Sequence, residues 1–191
     1  MKTRDLRVTG YRPLVPPAII LEELALSESG SRAVARWRDE LARILDLDDG
    51  RLMAIVGPCS IHDPVAALDY ARHLGAVGDE LRDDLVVVMR AYFMKPRTSV
   101  GWKGLVSDPR RDGSFRINDG LRMTRRLLLD LVEIGIPAAC ARWIICCPSS
   151  GLVAKDTDAG IWAACRRAAS AHQSSGRYNA RSINAWPCAV T

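Results

Sequence analysis

The chain has 191 residues, of which 48% are hydrophobic and 26% are charged, so its composition is that of a globular protein and excludes a wholly disordered chain. No apolar run approaches the roughly 20 residues that a membrane span needs, and residues 1–7 contain no apolar signal-peptide core. We therefore expect a cytoplasmic protein with reduced thiols and no membrane partner.

Charge and cysteine content divide the chain near residue 140. Residues 1–139 carry 21 Lys and Arg against 20 Asp and Glu, whereas residues 140–191 carry 6 against 2. The later segment also holds five of the six cysteines. We therefore predict an N-terminal extension over residues 1–50, the start of a folded unit over residues 51–139, and a divergent tail over residues 140–191.

The sequence of the N-terminal extension predicts two helices and no catalytic residue. Prolines prevent an early helix, and a short helix is expected to begin at Pro17. Ser31 is the expected N-cap of a longer helix. The apolar residues of that helix recur at helical spacing: Val34, Trp37, Leu41, Ile44 and Leu45. We expect these helices to make packing, oligomer or regulatory contacts.

Alternating apolar runs predict strands and helices over residues 51–139. Runs short enough for buried strands occupy residues 52–56, 85–89 and 136–139. Asp63 as the cap and Pro64 as the first residue begin the first intervening helix. The expected apolar stripe of this helix is Val65, Leu68, Ala71, Leu74 and Val77. A second intervening helix is expected over residues 119–133 and ends before Gly135.

The order strand, helix, strand, helix, strand predicts a parallel sheet with right-handed crossovers. Three strands do not close a barrel, because a parallel β/α barrel typically needs about 250 residues. The fold class is therefore α/β, either the N-terminal part of a (β/α)8 TIM barrel that is incomplete or a small open sheet.

A basic stretch follows the second predicted strand, at the position where parallel α/β folds bind ligands. It contains four cations and no acid: Arg90, Lys95, Arg97 and Lys103. Arginine matches phosphate or carboxylate with a planar fork, and lysine adds a point charge. The stretch therefore predicts a site for a small molecule with more than one anionic group. Interleaved aromatic residues argue against a merely solvated loop, although base or ring stacking is a rival use of such a mixture.

Cys59 follows the first predicted strand, in a Gly-Pro-Cys-Ser loop that brings backbone close to a ligand. A thiol there is a metal ligand, a nucleophile or, as single cysteines most often are, a small buried hydrophobic residue. The residues alone leave these roles open. His62 beside Asp63 is interpreted as a loop residue rather than a base.

Four motifs carry a family resemblance: Gly57-Pro-Cys-Ser-Ile-His-Asp-Pro64, Arg90-Ala-Tyr-Phe-Met-Lys-Pro-Arg-Thr98, Val100-Gly-Trp-Lys-Gly-Leu105 and Ile117-Asn-Asp-Gly-Leu121. In this order and spacing they strongly resemble 3-deoxy-D-arabino-heptulosonate 7-phosphate (DAHP) synthase, of the microbial type with a feedback-regulated N-terminal extension. The resemblance covers residues 4 to about 139. It implies a metal-dependent (β/α)8 barrel that condenses phosphoenolpyruvate with erythrose 4-phosphate, the first step of the shikimate pathway to the aromatic amino acids.

The resemblance also implies a role for each matching residue. Cys59 is then a metal ligand, Arg90 and Lys95 bind phosphoenolpyruvate and take part in catalysis, and Arg97 and Thr98 contact the erythrose phosphate. The divalent metal (Mn, Fe, Co or Zn) acts as a Lewis acid on the aldehyde oxygen, and the expected ligand types do not fix its identity. A homo-oligomer and an aromatic amino acid effector are further implications.

Two positions within the motifs depart from the family pattern. Met94 stands where the family usually has Glu, and Ser99 stands where it usually has Thr. The serine is a mild change. The methionine removes an acid beside the basic residues.

The resemblance stops near Ala139. The later family motifs, including a Gly-Ala-Arg-Thr-Thr-Glu-Ser-Gln run and the remaining metal ligands, have no counterpart in this sequence. Three interpretations of the tail stay open: a frameshifted translation, which we favour, a genuine short variant, and a zinc module. The zinc module lacks the close ligand pairs of structural zinc sites and would use Cys146, Cys147, Cys165, His172 and Cys188. The sparse charges of the tail argue against nucleic acid as a partner.

These observations predict a chain that descends from DAHP synthase, with an incomplete barrel and no turnover by itself. The alternative is a non-catalytic fragment that binds anions weakly or pairs with an intact subunit. An open sheet also predicts exposed apolar surface and poor solubility.

Overall fold

The computed structural model describes residues 10–95 and 101–140. The predictions for Arg97, Thr98 and the tail beyond Cys140 lie outside these described residues. The elements, in chain order, are α1 (Pro17–Glu23), α2 (Glu28–Leu45), β1 (Leu52–Val56), α3 (Pro64–Glu80), β2 (Leu85–Arg90), α4 (Ile117–Ile134) and β3 (Ala138–Ala139). In this part of the chain, no helix combines the length and the apolar character that a membrane crossing requires.

The three strands form one parallel sheet in the order β1-β2-β3. β1 pairs with β2 over its whole length, from Leu52↔Leu85 to Val56↔Met89, and β3 pairs with the last two residues of β2. A helix joins each pair of neighbouring strands, because parallel pairing needs a long crossover. The predicted parallel α/β sheet is confirmed.

Helices cover both faces of the sheet. On one face, buried side chains from α1, α3 and α4 form the larger core together with Met89 of β2. On the other face, Leu41 and Ile44 of α2 pack against Val86 and Val88. Because side chains of a strand alternate between the two faces, the continuous apolar run of β2 contributes to both cores.

The N-cap of α2 is Ser27, and the prediction of Ser31 is wrong. Ser27 Oγ accepts a hydrogen bond from the N–H of Gly30 at 3.1 Å, which satisfies a donor of the first turn. Ser31 lies inside the helix, and its N–H donates to the carbonyl oxygen of Ser27 at 2.8 Å. Gly30 in the first turn of α2 is a buried contact residue: a Cβ there would lie 2.8 Å from Leu26 Cδ1.

The face of α3 that meets the core differs from the predicted stripe. Ala67 and Ala71 are its buried residues, whereas Val65 is 76% exposed and Val77 is 49% exposed. The prediction is wrong for these two valines, because small residues let α3 approach closely. A Cβ added at Gly75 of the same helix would already lie 3.2 Å from Ile136 Cδ1.

Helix α1 is docked on α4. Ile20 is buried in the larger core. Arg122 donates two hydrogen bonds to the carboxylate of Glu23, at 2.6 and 2.9 Å, and these bonds lower the pKa of Glu23. Arg125 Nε donates to the carbonyl oxygen of Leu24 at 3.1 Å. The oligomer and regulatory contacts expected of the N-terminal extension remain a prediction.

A network of charged side chains closes the turn between α2 and β1. Arg51 Nη2 lies 2.7 Å from Glu40 Oε1 and 2.8 Å from Asp49 Oδ2, and the N–H of Arg51 donates to Asp49 Oδ1 at 3.0 Å. Chiefly through the side-chain hydrogen bond from Arg51, the pKa of Asp49 falls from 3.8 to about 2. The turn is thus held by charge-assisted hydrogen bonds.

We expect the stability contributed by Asp49 to be lost in acid. Folding lowers the pKa of this carboxyl, so its contribution is complete above the unfolded-state value of 3.8 and disappears as the pH falls toward about 2. In urea unfolding followed from about pH 6 to about pH 2, Asp49→Asn should lose less stability across this window than the wild type does. Asp48→Asn leaves the Asp49–Arg51 pair in place and is the control. A wild-type acid decline in Asp49→Asn would contradict the prediction.

Candidate functional site

The carboxyl ends of β1 and β2 bring the Cys59 loop against Arg90. Val56, the last residue of β1, pairs with Met89, so Gly57 comes level with Arg90. The two backbones approach closely there, since a Cβ on Gly57 would lie 2.5 Å from the carbonyl oxygen of Arg90. Glycine therefore lets the loop leave the sheet along this path.

The Arg90 side chain is fixed against the same loop. Arg90 Nη2 donates to the carbonyl oxygen of Gly57 at 2.9 Å, and Arg90 Nε donates to that of Pro58 at 3.2 Å. The guanidinium carbon lies 5.2 Å from the centroid of the Tyr92 ring, within the range of a cation–π contact. Two carbonyls and one ring thus hold a permanent positive charge at the carboxyl end of the sheet.

Cys59 is exposed at this edge. Its loop is held on both sides: Arg90 bonds the carbonyls of the two preceding residues, and the N–H of Ile61 donates to the carbonyl oxygen of Tyr92 at 2.8 Å. The interpretation of Cys59 as a small buried hydrophobic residue is therefore wrong, while Cys140 at the end of β3 is buried. An exposed thiol is available to a ligand.

Lys95 lies at the neck of the loop that follows β2, where residues 93–95 are hydrogen-bonded to residues 103–106. Its N–H donates to the carbonyl oxygen of Lys103 at 3.0 Å, and the N–H of Val106 donates to that of Phe93 at 3.3 Å. Phe93 is fully buried, so the neck is anchored in the larger core. Two of the predicted cations, Lys95 and Lys103, are therefore held on neighbouring chain segments.

Gly104 is the residue that allows this neck to close. Its φ is +111°, and a Cβ would lie 2.4 Å from the carbonyl oxygen of Phe93 and 2.6 Å from Met94 Cα. Met94, at the position where the family resemblance leads one to expect an acid, packs its side chain against the larger core.

Asp108 is a buried residue that holds this loop together by hydrogen bonds, and the sequence did not predict this role. It is only 6% exposed. Its carbonyl oxygen accepts the indole N–H of Trp102 at 2.7 Å, and its Oδ2 accepts the N–H of Gly113 at 3.2 Å. The available signal was its position as the first acid after the basic stretch.

We name the carboxyl-edge site by three residues: Cys59, Arg90 and Lys95. The structure brings the Cys59 loop into direct contact with Arg90, and Lys95 follows at the neck. Within residues 10–95 and 101–140, no group of three or more His, Cys, Asp and Glu side chains is placed to hold a metal ion. Cys59 supplies one soft donor, and the described residues alone do not make a metal site.

Comparison with known families and proteins identifies relatives of this chain. The sequence model described as the DAHP synthetase I family matches residues 28–144. The Phe-sensitive phospho-2-dehydro-3-deoxyheptonate aldolase of Escherichia coli (strain K12) is 53% identical over 135 residues, which are 71% of this chain and 39% of the relative. The tyrosine-inhibited enzyme of that name from Schizosaccharomyces pombe is 52% identical and covers 71% of this chain and 36% of the relative.

A shorter relative and a solved structure carry the same name as these two relatives. A phospho-2-dehydro-3-deoxyheptonate aldolase of Amycolatopsis methanolica is 50% identical over 134 residues, 70% of this chain and 66% of the relative. The structure of the aldolase of that name from Francisella tularensis SCHU S4 superposes with a TM-score of 0.66 at 40% identity, over 70% of this chain and 39% of the other. The chain spans 39% of the length of the Escherichia coli relative.

Proposed function

Because this chain belongs to the DAHP synthetase I family, we propose that its carboxyl-edge site binds phosphoenolpyruvate for the synthesis of DAHP. The observation that carries the proposal is the Arg90 guanidinium, held by two loop carbonyls beside Cys59 at the carboxyl ends of β1 and β2. Parallel α/β folds bind their ligands at that end of the sheet. Lys95 at the neck adds a second cation, as a molecule with a phosphate and a carboxylate requires.

The reaction would join phosphoenolpyruvate to erythrose 4-phosphate and give 3-deoxy-7-phosphoheptulonate. Arg90 and Lys95 bind the anionic groups of phosphoenolpyruvate and neutralise charge during the condensation. Arg97 and Thr98, which lie outside the described residues, contact the phosphate of the second substrate. The names of the relatives support this assignment, since they are phospho-2-dehydro-3-deoxyheptonate aldolases.

Cys59 is proposed as one ligand of a divalent metal, either Mn, Fe, Co or Zn. Its exposure at the strand end supports this role. When bound, such a metal supplies Lewis acid chemistry. The described residues offer Cys59 no further ligand set, so no step of the reaction is assigned to the metal.

The proposal extends to the surroundings of the site. Residues 51–139 are the first units of a (β/α)8 barrel, preceded by an extension over residues 1–50 that serves oligomer or regulatory contacts. A homo-oligomer in the cytoplasm is proposed, with an aromatic amino acid as effector. Relatives that are Phe-sensitive or tyrosine-inhibited support the effector class without selecting its member.

A binding role without catalysis is the second candidate. The observation in its favour is that, in the part of the chain that the structure describes, Cys59 belongs to no group of three or more His, Cys, Asp and Glu side chains placed to hold a metal ion. In this case the chain binds anions through Arg90 and Lys95, or pairs with an intact subunit, and forms no product.

The two candidates are separated by assaying the full chain for 3-deoxy-7-phosphoheptulonate, with both substrates and Mn²⁺, alongside direct measurement of phosphoenolpyruvate binding. Metal-dependent product that disappears in Lys95→Met supports the enzyme. Phosphoenolpyruvate binding without product supports the binding role. A chain that neither binds phosphoenolpyruvate nor forms product contradicts the enzyme and the anion-binding role, and leaves only pairing with an intact subunit.

A further inference from the structure

We propose that Tyr92 is a positioning residue that orients the Arg90 guanidinium toward an anionic ligand; the inference rests on the proposed phosphoenolpyruvate site. Arg90 and Tyr92 are two positions apart in extended chain at the end of β2, so their side chains project to the same side. The guanidinium carbon lies 5.2 Å from the centre of the tyrosine ring. Sequence reasoning treated this aromatic residue only as part of the basic stretch.

The hydrogen bonds of Arg90 determine which edge of its guanidinium remains for a ligand. A guanidinium has five N–H donors in a planar fork. Nε and Nη2 each donate to a loop carbonyl, those of Pro58 and Gly57, so the edge that joins these two nitrogens is occupied by protein. Among residues 10–95 and 101–140, no hydrogen bond engages the edge formed by Nη1 and Nη2, so this edge remains for a carboxylate or phosphate, which it can bind bidentately.

The Tyr92 ring keeps this edge in place. With the guanidinium carbon over the Tyr92 ring at 5.2 Å from its centroid, the ring restrains the position of the guanidinium and favours the charged group electrostatically. The backbone of Tyr92 is itself tied to the Cys59 loop, because its carbonyl oxygen accepts the N–H of Ile61 at 2.8 Å. The Tyr92 ring, the Cys59 loop and the Arg90 guanidinium are therefore linked by direct contacts. We expect the anion to bind in the plane of the guanidinium rather than over its face.

The test compares Tyr92→Leu with Tyr92→Phe in the full 191-residue protein. Calorimetric titration with phosphoenolpyruvate should show roughly threefold to thirtyfold weaker binding for Tyr92→Leu, as loss of a cation–π contact predicts, and wild-type binding for Tyr92→Phe, which keeps the ring. Hydrogen exchange of the Arg90 Nε–H, assigned by NMR with Arg90→Lys, should be slow in the wild type and in Tyr92→Phe. In Tyr92→Leu this exchange should be faster.

Two results would overturn the positioning role. One is wild-type binding and exchange in Tyr92→Leu. The other is an equal loss in Tyr92→Phe, which would assign the effect to the hydroxyl group. If the wild type binds no phosphoenolpyruvate while the exchange pattern holds, the proposed function fails, and only the restraint of the Arg90 guanidinium by Tyr92 stands.

Discussion

Gly104→Ala is expected to lower the free energy of unfolding by about 3 to 5 kcal/mol, from a strained backbone and an overpacked contact together. Gly104 has φ +111°, a conformation that side chains with a Cβ rarely adopt. A Cβ would also meet rigid backbone at 2.4 Å from the carbonyl oxygen of Phe93 and at 2.6 Å from Met94 Cα. Since Phe93 is fully buried, we expect the segment that carries Lys95 to resist a shift away from the added Cβ.

Gly113→Ala is the matched control for this substitution. Gly113 also has a positive φ, +72°, but apart from its own chain neighbours no heavy atom of the described residues lies within 4 Å of the Cβ position. Gly113→Ala should therefore lower the free energy of unfolding by about 1 kcal/mol, from backbone strain alone. Urea unfolding measures both variants, and equal losses would show that the neck of the loop does not constrain Gly104.

Arg90→Met is expected to weaken phosphoenolpyruvate binding by about 10- to 100-fold, the effect of removing charge-assisted hydrogen bonds to an anion. The methionine keeps much of the side-chain volume but loses the bonds to the carbonyl oxygens of Gly57 and Pro58 as well. Arg90→Lys keeps the charge without the fork, so it should bind with an intermediate affinity.

Arg36→Met provides the control for charge. Arg36 is exposed on α2, a helix that contributes no residue to the carboxyl-edge site, and its loss changes the net charge by the same amount. Calorimetry should give wild-type affinity for this variant. If Arg36→Met and Arg90→Met weaken binding equally, the effect is one of overall charge and not of a site.

Local signals in the sequence were sufficient for the sheet. Three short apolar runs became the three parallel strands, and Gly135 ends α4 in the left-handed conformation with φ +93°, as its glycine predicted. Asp63 caps α3 by accepting the N–H groups of Val65 and Ala66. Each of these features depends on neighbouring residues, which is why pattern and capping rules found them.

Features set by packing between elements were not predictable in the same way. The buried face of α3 follows small residues, Ala67 and Ala71, because the sheet and α4 lie close to it. Hydrophobicity alone selected Val65, which is exposed. Ser27 rather than Ser31 is the N-cap of α2, and Gly30 in its first turn is buried, with Val132 Cγ1 of α4 only 3.1 Å from the position of an added Cβ.

The candidate site also combines residues that local signals predicted with contacts that they did not predict. Arg90, Lys95 and Cys59 were predicted from their positions after apolar runs and from the family motifs. The hydrogen bonds of Arg90 to the Cys59 loop and the ring of Tyr92 over its guanidinium depend on the register of β1 and β2. That register joins residues more than thirty positions apart in the chain.

The most direct test of the carboxyl-edge site is a calorimetric titration of the wild-type 191-residue protein with phosphoenolpyruvate at low and at high salt. A site built on the permanent charges of Arg90 and Lys95 predicts saturable binding of one molecule per chain, weaker at high salt and weaker by about 10- to 100-fold in Arg90→Met. No saturable heat, or binding that Arg90→Met leaves unchanged, would contradict the assignment of this edge as the ligand site.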